Sequence, residues 1–312
     1  MDEHAALLLK TVRLIVFPGA FNWPVWVASA KGFFADEAVE VQVSETPGSV
    51  FQLSALIRGD FDLAITLMDN VVAYREGQGE VPLVGDDLAA FMACDTRVFP
   101  SLVTLPEVRS YADLRGRAVS VDARTTGYAL VLQAMLEHGG LGPQDYRVES
   151  VGGVLQRFEA LLARRQAGAL FNSPFESLLV ARGFNKLDTA LSVLGSYQGQ
   201  VVAGRRRWAA ANRATLVGFL RALRGAIGWL YDPANRDEAF AIHDAHLPKA
   251  GAGSNAVAYA TLFDPGSGLP RSGELHLDGL AKVIELRSRY GSPGKRLGGP
   301  FDYYDPSYVK DS

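Results

Sequence analysis

The sequence predicts an α/β fold built on parallel sheet, on three observations. Short β-branched runs alternate with segments of helical periodicity over 13–79. Each run closes on a turn rich in Pro, Gly, Asn or Asp, and the same alternation resumes over 118–183. Strands that alternate with helices at this spacing pair in parallel. Such sheets take ligands at the carboxyl ends of their strands.

The first strand is expected over 13–17, closed by Pro18 and Gly19. A turn carrying Phe21, Asn22 and Trp23 leads into an apolar helix over 25–34. The second strand, over 39–43, alternates apolar and polar residues and ends at Pro47, Gly48 and Ser49, where a helix over 50–58 begins. Ser49 is the cap candidate, and Gly48 permits close backbone approach. Gly59 and Asp60 stop that helix; a third strand over 61–65 runs to Asp69 and Asn70, which open a helix over 71–76. These turns all follow parallel strands, so they are expected to converge on one site.

Three stretches in this region, "NWPVWVASAKGFFADEAVEVQV", "TPGSVFQLSALIRGDFDLAIT" and "DNVVAYREGQG", resemble the solute-binding proteins of nitrate/sulfonate/taurine-type ABC importers and their thiamine-precursor-binding relatives. The resemblance implies a type II periplasmic-binding-protein fold. Two lobes, each a mixed, mostly parallel sheet flanked by helices, would be joined by two crossovers, with the ligand cleft between them. It places the first lobe at 1–104, the second at 105–197, and the return of the first at 198–312. Within the second lobe, Asp113, Leu114, Gly116 and Val119 match the family's entry pattern. Asn172 and Ser173 match polar positions at the cleft rim, while Ala167, Gly168 and Ala169 stand where the family strand often carries an aspartate.

Further strands are expected over 81–85, 118–121, 146–151, 169–171, 191–194 and 200–203, and helices over 128–138, 155–165 and 209–231. The turn Asp122, Thr125, Thr126, Gly127, Tyr128 precedes the first of those helices, and Thr125 or Thr126 suits its N-cap. Free backbone amides and the helix dipole there would hold an anion. Pro47, Gly48 and Ser49 make a matching helix start in the first lobe. Phe21 and Trp23 supply an aromatic wall, and Asp69 and Asn70 a floor. Gly153, Asn172 and Phe175 complete the second-lobe face. Arg157, Arg164 and Arg165 read as a solvated helix face. Residues 275–289 read as helical, and 291–312 as a polar, aromatic tail wrapping the first lobe.

Composition narrows the function. Lys and Arg number 31 against 34 Asp and Glu in 312 residues, a net charge of -3, which offers nucleic acid no concentrated basic face. A single cysteine, Cys94, excludes an intrachain disulfide or multi-cysteine metal site; it reads as a buried packer. It also removes the cysteine-rich run of a pyrimidine-making relative. Gly291 to Lys295 is too short for a phosphate loop, and Arg296 stands where Ser or Thr is required. His243 and His246 lack a third metal ligand and read as a surface pair, and Asp86 and Asp87 as a solvated loop. No apolar run approaches the roughly 18 residues of a membrane span.

The expectation is therefore a monomeric solute-binding protein without cofactor, metal or catalytic residues. It would close on an aryl or alkyl sulfonate or carboxylate and deliver it to an ABC permease with its ATPase. The acidic stretch over 1–4 and a short apolar run over 5–9 do not read as a secretory segment, whose apolar part needs about 7–15 residues. The expectation is a periplasmic protein shown without its leader; a cytoplasmic enzyme on the same scaffold, acting on a small acid or pyrimidine, is the alternative.

Overall fold

The computed structural model describes residues 9–95, 100–172, 175–248, 251–264 and 268–312. Among the described residues, ten strands form two separate five-stranded sheets. β1 (Lys10–Val16), β2 (Val39–Glu45), β3 (Leu63–Leu67) and β4 (Leu88–Ala93) lie in the first sheet with β10 (Gln200–Arg205). β5 (Ser101–Thr104), β6 (Ala118–Val121), β7 (Arg147–Ser150), β8 (Gly168–Phe171) and β9 (Asn185–Thr189) make the second.

The strand orders are β2-β1-β3-β10-β4 and β7-β6-β8-β5-β9. β1 is parallel to β2 and β3, while β10 runs antiparallel to β3 and β4. The second sheet repeats the plan, with β6 parallel to β7 and β8 and β5 antiparallel to β8 and β9. In each sheet the antiparallel strand arrives from the other lobe, so the chain crosses twice. This is the two-lobed type II periplasmic-binding-protein fold. β4, β5, β6 and β8 are buried at every residue, as strands with helices on both faces must be.

Several expected elements change. Residues 81–85 form no strand: Pro82 sits in a tight turn in which the Leu83 amide donates to the Val81 carbonyl at 2.7 Å. The fourth strand comes later, as β4. Ser101–Thr104 belongs to the second sheet, so that crossing precedes the expected boundary at 104. Residues 190–194 are a helix, because the Thr189 side chain caps it by accepting from the Ser192 amide at 3.2 Å. The strand there is the more polar β9. The long helix breaks at Asn212, whose Nδ2 donates to the Trp208 carbonyl at 2.9 Å; Arg206–Ala211 and Arg213–Tyr231 lie either side.

The C-terminal region ties the lobes together. Helix Leu277–Tyr290 packs on helix Met68–Arg75 of the first lobe and on helix Gly127–His138 of the second. Arg289 and Tyr290 both reach Glu137. The tail then lies on the first lobe, where the Tyr303 hydroxyl donates to Glu76 at 2.8 Å and the Tyr308 ring stands 5.0 Å from Phe91.

Candidate functional site

A cavity of about 160 Å³ lies between the two sheets. That compares with the roughly 150 Å³ that accommodates a benzene-sized guest. Its first-lobe wall comes from strand ends: Gly19, Ala20 and Phe21 after β1, Cys94 and Asp95 after β4, and Gln200 at the start of β10. The second-lobe wall comes from Tyr128, from Val154 and Arg157 on helix Val154–Leu162, from Leu170 and Asn172 at the end of β8, and from Phe175. Leu262, on helix Ser254–Leu262, and Leu269 close one side. The β1, β4 and β8 walls follow the rule that α/β sheets bind at carboxyl ends of strands.

The expected solvated face at Arg157 is overturned. Arg157 is 5% exposed, with no ion pair or side-chain hydrogen bond among the described residues, and its Nε is buried without a partner. It stands three residues after Val154 and four before Leu161, so helical spacing sets it on the apolar, inward face. Burial lowers the pKa of this guanidinium, which the charge of Asp122 and the neighbouring Tyr128 partly offset. A buried guanidinium is costly unless something pairs with it.

Asp95 is the second buried charge-bearing group in the cavity. One carboxylate oxygen accepts the Gln200 amide at 2.6 Å; the other, Oδ1, is buried and unpartnered. Burial raises its pKa to about 7, against the lowering effect of the Gln200 and Gly199 amides. Asn172 donates to the Tyr128 hydroxyl at 2.9 Å, and its own Oδ1 is buried without a partner. Burial raises the Cys94 thiol and the Tyr128 hydroxyl well above their ordinary values. Cys94, expected as a packer, is buried and also lines the cavity.

Of the expected site residues, Phe21, Tyr128, Asn172 and Phe175 meet at this cavity. Gly153 is the N-cap of the helix bearing Arg157. Ser173 lies outside the described residues. The others lie elsewhere. Trp23, expected to face the cleft, is fully buried in the first lobe; its Nε1 donates to the Ala239 carbonyl at 3.1 Å and its ring lies 4.6 Å from His243. His243 is accordingly 1% exposed rather than a surface residue, and His246 stacks on Trp26 at 4.7 Å. Asn22 turns back to donate to the Phe17 carbonyl at 2.7 Å. Gly48, not Ser49, caps the helix Ser49–Arg58, and the Gly48 amide donates to Thr46 Oγ1 at 3.3 Å.

The expected anion site at Asp122 to Tyr128 is filled by the protein's own groups. The Thr125 amide and hydroxyl donate to Glu80 of the first lobe, at 3.3 and 2.5 Å. The Thr126 hydroxyl donates to Asp122 at 2.5 Å. Helix Met68–Arg75 starts earlier than expected, so Asp69 and Asn70 sit in its first turn. Asn70 donates to Thr66 at 2.9 Å, and Asp69 accepts from Arg287 at 2.7 Å in an ion pair whose side chains are both 1% exposed. Arg287 also donates to the Thr125 carbonyl across the lobe junction. Gly127 packs so closely that a Cβ there would stand 2.6 Å from Asp69 and 2.7 Å from the Tyr197 hydroxyl.

Among the described residues, no group of three or more His, Cys, Asp and Glu is placed to hold a metal ion, and no helix is long and apolar enough to cross a membrane.

A search of curated protein sequences finds no match. Solved structures do match. A protein from Bordetella bronchiseptica RB50 shares 22% identity with a TM-score of 0.77, covering 96% of each chain. The ligand-binding component of an ABC-type import system from Staphylococcus aureus, with zinc bound, shares 14% identity at a TM-score of 0.77 over 96% of this chain and 98% of its own. The periplasmic aliphatic sulphonate binding protein SsuA from Escherichia coli shares 15% at 0.73, over 96% and 93%. At such identities these likenesses establish the fold. The family model described as NMT1/THI5 like matches residues 22–236, more than half of the chain, and this protein belongs to the NMT1/THI5-like family.

Proposed function

We propose that this protein is the solute-binding component of an ABC importer. It binds a small organic anion, a sulfonate or carboxylate, in the cavity between its sheets and hands it to a permease. The observation that carries this reading is Arg157, a buried guanidinium with no partner among the described residues, facing a cavity whose other walls are largely apolar. A sulfonate or carboxylate would supply the missing acceptors through charge-assisted hydrogen bonds, while Phe21, Phe175 and Leu262 cover the ligand body. Ligand contacts to both lobes would favour the closed state over the open one. The likeness to an ABC-type import component and a periplasmic sulphonate binder supports a periplasmic, transport-linked role without catalysis.

Isothermal titration of the purified chain with short alkanesulfonates and alkanecarboxylates tests this. Saturable binding that is lost in Arg157→Gln is expected. Turnover of a bound ligand with no partner added would instead place the protein among enzymes.

A further inference from the structure

We propose that Asp95 meets the bound anion as a carboxylic acid, so that each anion captured takes up one proton from solvent. This rests on the anion-binding reading of the cavity and deepens it. Asp95 lines the cavity, is 6% exposed, and pairs with no cation among the described residues. Its Oδ2 accepts the Gln200 amide at 2.6 Å, while Oδ1 is buried without a partner. A lone buried carboxylate neutralises more readily than it carries its charge. Once protonated, Oδ1 changes from an acceptor that nothing serves into a donor.

The surroundings favour the acid. Gly199 and Gln200 present backbone amides, Cys94 its thiol, and Tyr128 and Tyr197 their hydroxyls. The Gln198 side chain donates to the Asp95 carbonyl at 3.2 Å, not to its carboxyl, and its Oε1 accepts the His276 amide at 3.0 Å. Beyond Tyr197 stands the Asp69–Arg287 pair, whose charges cancel. Burial accordingly pushes Asp95 up to about 7. An anion drawn in by Arg157 brings a like charge into the same cavity and raises the carboxyl further. The step balances: a proton leaves the buffer, an Oδ1–H bond forms, and that hydrogen is donated to a ligand oxygen. Arg157 and the anion then sum to zero charge beside a neutral acid. An O–H···O⁻ bond of this kind is among the stronger hydrogen bonds.

The test is calorimetric titration of the full chain with ethane-, propane- and butanesulfonate from pH 6 to 9, a range in which these ligands stay ionised. Affinity is expected to hold level below about 7 and to fall above it by up to about ten-fold per pH unit. Runs in two buffers of different ionisation enthalpy should show proton uptake near zero at pH 6, rising toward about one per ligand by pH 8. In Asp95→Asn the side-chain amide is a donor at every pH. Uptake should therefore vanish in that variant, and its binding at pH 8.5 should exceed the parent's. Level affinity in the parent, with no proton taken up, overturns the acid and leaves the anion site standing. Affinity that rises with pH, or a fall that persists unchanged in Asp95→Asn, overturns it as well. Failure of all three sulfonates to bind at any pH removes both.

Discussion

Replacing Arg157 by Met should make the empty protein more stable and the binding site useless. Arg157 is buried, unpaired among the described residues and shifted downward by desolvation, so in the empty state it is a cost. Methionine keeps much of the side-chain length and removes the charge. Exchanging buried charged groups for well-packed apolar ones commonly gains about 1–4 kcal/mol. Urea midpoints at pH 7.5 would read this as a rise in denaturant tolerance at constant slope. Affinity should move the other way. Losing two charge-assisted hydrogen bonds, at about 1.5 kcal/mol each as a lower figure, weakens an alkanesulfonate by at least about 100-fold. Both measurements come from one purified variant. If Arg157→Met is less stable than the parent without ligand and binds as before, the guanidinium is structural and the reasoning fails.

Other perturbations follow from the same contacts. Asp95 titrates near 7 when folded against about 3.9 when unfolded, so the folded state holds the proton more tightly. Stability is then greatest below the unfolded value and falls as pH rises from about 4 to about 7, by about 4 kcal/mol from this group; Asp95→Asn should flatten that fall, measured by urea titration across pH. Gly127→Ala would press a methyl group on Asp69 and Tyr197, costing about 1–3 kcal/mol and, by holding the lobes apart, weakening ligand; unfolding midpoints and titration report the two effects. Trp23→Ala should destabilise by about 3–5 kcal/mol, because the ring packs on His243, Tyr259 and Phe263. Its affinity for ligand, per folded molecule, should be unchanged.

What could be read from the residues alone, and what could not, follows from the range of the interactions. β3 and β6 are compact apolar runs, legible because burial on both faces leaves a local signature, and β1 ends in three successive buried residues, Leu14 to Val16. β9, with sequence NKLDT, carries none; it is a strand because β5 offers it an edge. At the cavity, Phe21 and Tyr128 stand in turns that follow strands, while Asn172 is reached only through the resemblance. Trp23 packs away from the cavity because its partners, over 200 residues away on the returning helices, complete a pocket no local reading shows. The helix start at Thr125 and Thr126 looked open to an anion, yet Glu80 and Arg287 reach it from the other lobe. Arg157 and Asp95 did leave signals. Arg157 keeps the i, i+3, i+4 spacing of the apolar residues around it, and Asp95 is the first charge after the fully buried β4. A solvated face is the reading that three arginines on one helix invite, but spacing decides burial.

A crystal structure of the full chain grown with a saturating short alkanesulfonate tests the central claim most directly. The account predicts sulfonate oxygens about 2.7–2.9 Å from the Arg157 guanidinium, with the alkyl chain between Phe21 and Phe175. Ligand bound at the Thr125 turn or on an outer surface, with Arg157 paired to one of the protein's own carboxylates, would contradict it.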